Sequence, residues 1–242
     1  MEGVKGYIFD YGGTLDTCGC HWGMMLWHAY CRCNVGVSEQ QFRDAYVYAE
    51  RTLGRNPIIK PSFTFRKTLD TKIDLEMQWL ANEGGWNVTK DERRQAHDAV
   101  LNDLYYRVKQ TTKYSSSILA ELHRRYPMVL VSNFYGNINE VLKEMGFDGL
   151  FLHVIESAVV GIRKPDPHIF TLGVEALKLD ASETVVVGDS LYKDIIPAYR
   201  AGCNTVWYKG EGWQPETKED KEAATAISGL QVISDLAQLL DK

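Results

Sequence analysis

The hydrophobic residues of this chain form five short, nearly continuous runs, each bounded by polar residues or glycine. The runs are VKGYIFD, MVLVSN, FLHVIES, TVVVGDS and NTVWYK. A strand with one solvated face alternates apolar and polar residues, whereas unbroken runs indicate a parallel sheet that is covered on both faces. Helical patterns separate the runs after Met128, and this alternation predicts a doubly wound, Rossmann-like α/β core.

Turn and cap residues mark several helix boundaries in this core. Asp166 precedes Pro167, which predicts an N-cap followed by proline at the first helical position. Gly202 follows YRA and predicts the end of a helix. Near the C-terminus, KGEGWQPETKEDKEAAT is expected to be a loop, and LQVISDLAQLL is expected to form a final helix.

The segment after the first strand has a different pattern, with long helical periodicities and no convincing strand. Ser38 and Thr89 are the expected N-caps of two of its helices. We therefore predict an all-helical cap domain over residues 18–109, inserted into an α/β core formed by residues 1–17 and 110–242.

Composition and charge restrict the possible partners. The net charge of −5 argues against broad electrostatic binding to nucleic acid or to an anionic membrane. No apolar run approaches the roughly 18 residues of a membrane span, and the N-terminus carries no charged leader followed by an apolar signal core. We therefore expect a cytoplasmic protein, either a monomer or a homodimer.

The five cysteines include two C-x-C pairs, Cys18 with Cys20 and Cys31 with Cys33. Structural zinc sites favour a wider C-x₂₋₄-C spacing, and residues two apart on a helix point to different sides. Since no export signal is visible, we expect free thiols rather than a metal site or disulfides.

Polar and charged residues stand where the predicted strands end. In an open parallel sheet, ligands bind beyond the carboxyl ends of the strands, so these residues are expected to meet at one edge. Converging acids, a lysine and a hydroxyl suit a divalent cation and an anionic substrate. The residues concerned are Asp10, Thr14, Ser132, Asn133, Lys164, Asp189, Ser190 and Asp194.

Four motifs occur in order along nearly the whole chain: DYGGTLD, VSN, RKPDP and GDSLYKD. Together they resemble the motifs of the haloacid dehalogenase superfamily, most of whose members are Mg²⁺-dependent phosphatases. The helical insertion after the first motif is where this superfamily places its smaller helical cap. The resemblance implies hydrolysis of a small phosphorylated metabolite.

The resemblance also implies a nucleophile and a metal site. Asp10 would attack phosphorus and form an aspartyl-phosphate, which divides one hard displacement into two easier ones. Mg²⁺ would be bound by the carboxylates of Asp10 and Asp189 and by the backbone carbonyl of Gly12, with Asp194 bound directly or through water. Oxygen ligands of this kind are those that Mg²⁺ requires.

Further residues would stabilise charge or contact the substrate. Lys164 would neutralise the nucleophile and the phosphoryl charge, while Ser132 and Thr14 would donate hydrogen bonds to phosphoryl oxygens. The remaining expected substrate contacts are Asn133, Gly13, Asp16, His21 and Trp22.

Gly12 departs from the pattern of the superfamily, whose phosphatases usually carry aspartate there. That aspartate protonates the leaving oxygen and later activates water, and glycine can do neither. Proton transfer by a placed side chain contributes about 10²–10⁴ in rate. Asp16 and His21 follow closely enough in the sequence to be candidate replacements.

Other readings of Gly12 remain open at this stage. Dehalogenases also lack the aspartate, but they do not keep paired acids such as those of GDSLYKD. Phosphonate hydrolases use a cap lysine to form a Schiff base, for which Lys60, Lys67 and Lys72 lie in the expected region. The chain could also bind a phosphorylated ligand with little turnover.

Overall fold

The computed structural model describes residues 3–241, and its core is a six-stranded sheet in the order β3-β2-β1-β4-β5-β6. Every pairing between neighbouring strands is parallel. The five predicted strands and the doubly wound α/β fold are therefore confirmed. The strands are β1 (Gly6–Phe9), β2 (Met128–Ser132), β3 (His153–Glu156), β4 (Thr184–Gly188), β5 (Asn204–Tyr208) and β6 (Gln231–Ile233).

Both faces of the central strands are buried, which explains the unbroken hydrophobic runs. Successive side chains of a strand point to opposite faces. Ile8 and Val129 therefore belong to the hydrophobic cluster on one face, while Phe9 and Leu130 belong to the cluster on the other. All four side chains are fully buried, so the sheet forms the centre of the molecule.

The regular secondary structure between β1 and β2 consists of helices, as predicted. Ser38 and Thr89 each cap a helix, and in both cases a side chain three residues later completes the capping box. The last of these helices continues without interruption past Lys109 to His123, so the position of the domain boundary stays a prediction. The helices are α1 (Trp22–Arg32), α2 (Glu39–Arg55), α3 (Phe65–Asn82) and α4 (Lys90–His123).

Among the described residues after β2 there are five further α-helices. The Asp166 side chain accepts a hydrogen bond from the backbone N–H of His168, where α7 begins, and Gly202 takes a left-handed conformation (φ +86°) just after α8. Both predicted boundary residues therefore act at helix ends. These helices are α5 (Ile138–Met145), α6 (Ser157–Val160), α7 (His168–Leu177), α8 (Ile196–Arg200) and α9 (Lys218–Thr225).

Two expectations for the C-terminal part are wrong. The stretch expected to be a loop contains α9, because Thr217 and Asp220 form a capping box within its polar sequence. The expected final helix begins instead with strand β6, since its backbone pairs with β5, and ends in a short 3₁₀ turn over Leu236–Leu239. Tertiary strand pairing overrides a local helical pattern here.

Two other properties follow from the described residues. All five cysteines are free thiols, in agreement with the sequence. Between residues 3 and 241, no helix combines the length and the apolarity that crossing a membrane requires.

The segment after β5 reaches from the core to the cap through Trp213. Its ring lies 4.9 Å from that of Tyr46 and 5.2 Å from that of His21, measured between centroids. The Arg43 guanidinium lies 4.2 Å above the same ring and donates to the Trp213 carbonyl. Gly23 leaves the space that the ring occupies. This contact holds the cap against the core.

A methyl group at Gly23 would disrupt that contact. The added Cβ would lie 2.1 Å from the Trp213 ring, so we expect Gly23→Ala to lower stability by about 1–3 kcal/mol, as overpacking does. Gly54→Ala is the control, because this helical glycine has nothing within 4 Å and should gain up to about 1 kcal/mol. Urea unfolding measures both changes, and equal stabilities for the two variants would contradict the proposed contact.

Candidate active site

The carboxyl ends of three adjacent strands meet beside the point where the strand order reverses. Asp10 follows β1, Ser132 ends β2 and Asp189 follows β4. Lys164 reaches the same place from the loop before α7. A cavity of about 220 Å³ opens there between core and cap. Its wall includes these of the residues predicted from the sequence: Asp10, Gly12, Asp16, His21, Trp22, Ser132, Asn133, Lys164, Asp189, Ser190 and Asp194.

Lys164 is at the centre of a buried charge network. Its Nζ lies 2.5 Å from Asp10 Oδ1 and 2.7 Å from Asp194 Oδ1, and all three side chains are less than 10% exposed. Burial alone would lower the pKa of Lys164, but the charges of the two carboxylates raise it above its ordinary value. Lys164 therefore stays protonated beside Asp10.

Thr14 and Gly13 hold the acids rather than line the cavity. The Thr14 hydroxyl lies 3.1 Å from Asp10 Oδ2 and 3.1 Å from Asp189 Oδ1, and it accepts a hydrogen bond from the Asp189 backbone. Gly13 has φ +101°, and a Cβ there would lie 2.4 Å from Asp189 Oδ1. Only glycine lets the two acid-bearing loops approach this closely.

The three acids fit a hard divalent cation. Asp10, Asp189 and Asp194 each offer a carboxylate oxygen, and these oxygens lie within 4.8 Å of one another. Burial raises the pKa of Asp10 and of Asp189, and mutual repulsion adds to the effect, although Lys164 opposes it. A divalent cation would offset this excess of negative charge with the oxygen ligands that Mg²⁺ prefers.

Ser132 and Asn133 have different environments at the end of β2. The Ser132 hydroxyl makes no hydrogen bond to any other residue that the structure describes, although the residue is 1% exposed and lines the cavity. The Asn133 side chain accepts from Lys164 N (3.0 Å) and donates to Lys164 O (3.1 Å). Asn133 thus fixes the backbone of Lys164, while Ser132 has a donor available to a ligand.

Gly12 faces the cavity with free space beside it. A Cβ at Gly12 would meet only the Trp22 ring, at 3.8 Å. Each oxygen of the nearby Asp16 accepts a hydrogen bond: Oδ1 from Gly13 N (2.8 Å) and Oδ2 from Trp22 Nε1 (2.9 Å). Burial raises the pKa of Asp16 to about 7, although both N–H donors favour its ionised form. Asp16 orients Trp22 beside the bare position.

His21 caps α1. Its Nδ1 accepts a hydrogen bond from Gly23 N at 3.0 Å, which assigns the ring proton of the neutral form to Nε2. Burial, with the charges of Lys193 and Lys72, lowers the pKa of His21 to about 4. The imidazole is therefore neutral near pH 7 and is a weak proton donor.

Sequence reasoning missed most of the cavity wall that the cap contributes. Tyr46 and Glu50 lie one turn apart on α2, and Lys72 on α3 faces them. Lys72 was predicted only as a candidate Schiff-base lysine, and the other two candidates, Lys60 and Lys67, are exposed. The one available signal was the i, i+4 spacing of Tyr46 and Glu50. The core adds Phe134, Tyr135, Arg163 and Lys193 to the same wall.

The fold and this site together define a class of protein: a doubly wound α/β protein with a helical insertion over an acid–lysine cluster at the strand ends. Residues 4–202 match the family described as haloacid dehalogenase-like hydrolase. The chain therefore belongs to the haloacid dehalogenase-like hydrolases, as its motifs imply.

Curated relatives and solved structures agree with this assignment. A phosphoglycolate phosphatase of Vibrio cholerae is 30% identical over 84% of this chain and 83% of the relative. A glyceraldehyde 3-phosphate phosphatase of Pyrococcus abyssi is 38% identical, but the match spans only 38% of each chain. The crystal structure of a 2-haloacid dehalogenase from Pseudomonas syringae superposes with a TM-score of 0.51 at 21% identity, covering 98% of this chain and 97% of the other. At this identity the likeness shows the fold alone.

Glu76 lies one turn along α3 from Lys72 and is a buried acid behind the cavity wall. It accepts a hydrogen bond from the Tyr30 hydroxyl at 3.0 Å, and burial raises its pKa to about 7. Between the ordinary pKa of glutamate and about pH 7, Glu76 is therefore protonated in the folded protein and ionised in the unfolded chain. Folding takes up this proton, so stability falls as pH rises between about 5 and 7.

Glu76→Gln should remove that contribution. We expect the wild type to lose stability relative to Glu76→Gln between about pH 5 and pH 7, with no further change above this window. Urea unfolding at several pH values measures the difference. Glu83→Gln, at the exposed end of the same helix, should keep the wild-type slope. Parallel profiles for the wild type and Glu76→Gln would contradict the raised pKa.

Proposed function

We propose that this chain is a Mg²⁺-dependent phosphatase that hydrolyses a small phosphorylated metabolite through Asp10. The observation that carries the proposal is the position of the buried Asp10 carboxylate, in contact with Lys164 and grouped with two further acids beside a cavity. The phosphatase names of the relatives support it, since they include phosphoglycolate and glyceraldehyde 3-phosphate phosphatases.

The reaction has two displacements. In the first, an Asp10 oxygen attacks phosphorus, an O–P bond to Asp10 forms, and the ester O–P bond breaks with loss of the alcohol. In the second, water attacks the aspartyl-phosphate, which releases inorganic phosphate and restores the carboxylate. The alcohol takes up one proton when it leaves, and the attacking water gives up one.

The surrounding residues supply position and charge. Lys164 neutralises Asp10 and the equatorial charge of the phosphoryl group, while the free hydroxyl of Ser132 donates to a phosphoryl oxygen. Thr14 and Asn133 act indirectly, because they hydrogen-bond to Asp10 and Lys164 and hold them in place. Positioning and charge neutralisation of this kind are the main catalytic contributions in phosphoryl transfer.

The residues that would hold Mg²⁺ are Asp10, Asp189 and Asp194 through their carboxylates and Gly12 through its carbonyl. When bound, the ion lets a carboxylate nucleophile and a phosphate dianion approach each other without prohibitive repulsion. The same three acids weigh against dehalogenation, because a reaction without a cation would leave their repulsion unrelieved.

Gly12 has no side chain and cannot donate a proton to the leaving oxygen. Both oxygens of Asp16 accept hydrogen bonds already, and His21 is neutral with its Nδ1 occupied. We therefore propose that esters of good leaving groups react well and that alkyl esters react more slowly than they would with an acid at position 12. A Schiff-base route through Lys72 is disfavoured, since its ammonium is paired with Glu50 and its pKa lies above the ordinary value.

Removal of the nucleophile or of one acid tests the site directly. Asp10→Asn should abolish Mg²⁺-dependent hydrolysis of p-nitrophenyl phosphate, while Asp189→Asn should weaken Mg²⁺ binding, measured by calorimetry, about tenfold or more. Asp148→Asn, an exposed acid outside the cavity, is the control for both measurements. Hydrolysis that persists in Asp10→Asn would sink the proposed mechanism, and Mg²⁺ binding without hydrolysis in the wild type would favour a phosphate-binding role.

Restoring the missing acid should create a better catalyst for alkyl esters. The cavity beside Gly12 accepts a side chain, so we expect Gly12→Asp to raise kcat for an alkyl phosphate by about 10²–10⁴, the range of general-acid assistance. The rate with p-nitrophenyl phosphate should change far less, because its leaving group needs little protonation. Gly12→Asn, which has the same shape and no acid, is the matched control. Equal alkyl-phosphate rates for Asp and Asn at this position would show that a missing acid does not limit turnover.

A further inference from the structure

The cap carries a pair of opposite charges that the phosphoryl chemistry does not use. Lys72 on α3 forms an ion pair with Glu50 on α2, and both residues line the cavity that contains Asp10. The Lys72 side chain is 9% exposed and that of Glu50 is 36% exposed. We refer to these two residues as the cap dyad.

Both members of the cap dyad are charged near neutral pH. Burial alone would lower the pKa of Lys72, but Glu50 raises it above its ordinary value. Burial alone would raise the pKa of Glu50, but Lys72 holds it below its ordinary value. The cavity therefore presents a fixed dipole opposite the phosphoryl site, with a strong donor at one end and a strong acceptor at the other.

The dyad is held in a defined position by aromatic residues of cap and core. Lys72 Nζ lies 4.5 Å from the ring centroid of Tyr46 and 5.9 Å from that of Trp22. Tyr135 follows β2 in the core, and its hydroxyl donates to the Glu50 carboxylate, whose two oxygens lie at 3.2 and 3.3 Å. Because Tyr135 is three residues from Ser132, this bond ties the dyad to the phosphoryl site.

The charge pattern restricts what the leaving group can be. A carboxylate approaching Lys72 would be repelled by Glu50, and an ammonium approaching Glu50 would be repelled by Lys72. A hydroxyl group meets no such conflict, because it donates to the carboxylate and accepts from the ammonium. Two neighbouring hydroxyls can therefore satisfy both members without separating the pair, whose partners are costly to leave unpaired when buried.

We propose that the cap dyad selects an uncharged, hydroxylated leaving group, so that the substrate is a small phosphorylated polyol or sugar. This inference rests on the proposed function. The Trp22 ring, which lines the cavity, is suited to contact with the C–H groups of such a molecule. The cavity of about 220 Å³ must hold the phosphoryl group as well, and it is smaller than the roughly 300–1,000 Å³ of drug-sized ligand pockets. A leaving group of a few carbon atoms is expected.

The test compares three phosphate esters whose leaving groups differ in charge: glycerol 3-phosphate, phosphoglycolate and O-phosphoethanolamine. Binding is measured by calorimetry with Mg²⁺ in Asp10→Asn, and kcat/KM is measured in the wild type. We expect glycerol 3-phosphate to bind about tenfold more tightly than either charged ester, the size of a hydrogen bond to a charged group. Binding of either charged ester as tight as that of glycerol 3-phosphate would overturn the inference.

Substitutions in the dyad should change selectivity in opposite directions. Glu50→Gln leaves Lys72 without its counterion and should shift preference toward phosphoglycolate, whereas Lys72→Met should shift it toward O-phosphoethanolamine. Lys67→Met, which breaks an exposed ion pair with Asp70 on the same helix, is the control for loss of a cap charge. Equal losses for all three ligands would assign the dyad a purely structural role, and so would no change.

The two proposals fail in different ways. Selective binding of glycerol 3-phosphate without Mg²⁺-dependent turnover of any ester, p-nitrophenyl phosphate included, would support the dyad and refute the hydrolase mechanism. Turnover of p-nitrophenyl phosphate with no preference for the polyol would do the reverse. If a dyad variant does not fold, as judged by its circular dichroism, Tyr135→Phe replaces it. That variant frees Glu50 from the core and should reduce the polyol preference.

Discussion

The contact of Lys164 with Asp10 and Asp194 is the interaction on which the arrangement of the site depends. The three side chains are far apart in sequence: Asp10 and Lys164 lie in loops, Asp194 lies in the helical turn Leu191–Ile195, and each is almost fully buried. A buried charge without a partner costs several kcal/mol, so each group is tolerable only when the others are in place. The loops at the strand ends are therefore constrained by charge as well as by packing.

The supporting residues follow from that constraint. Asn133 holds the Lys164 backbone through both ends of its amide, and Thr14 joins Asp10 to Asp189. Gly13 is required because any side chain would collide with Asp189, whereas the neighbouring Gly12 faces open space. The two adjacent glycines thus have different effects. Gly13 is required by the lack of space, whereas Gly12 leaves the site without a carboxyl group that the space would allow.

The cap completes the cavity with a second ion pair, which is only partly buried because the Glu50 side chain is 36% exposed. The core network leaves excess negative charge that a cation can offset, while Lys72 and Glu50 balance each other. Tyr135 joins this pair to the core, and Trp213 packs against Tyr46 and His21. We infer that residues at the strand ends bind the phosphoryl group and that the cap selects the leaving group.

Local sequence was sufficient for the elements whose pattern and packing agree. Unbroken apolar runs identified the buried strands, and capping residues such as Ser38 and Thr89 marked helix starts, since both effects act within a few residues. Local sequence was misleading for β6, where pairing with β5 overrides a helical pattern. It was also insufficient for α9, because none of its residues is buried and its sequence therefore lacks the hydrophobic periodicity of a packed helix.

The sequence by itself determined the fold class, the four motifs and the edge of the sheet where they meet, because parallel strands place their carboxyl ends together. Only the tertiary structure decided that Asp16 and His21 are occupied by hydrogen bonds and that Lys72 pairs with Glu50 in the cavity wall. The physical reason is that these contacts join separate helices and loops. Their distances depend on how cap and core pack, which no periodicity along the chain encodes.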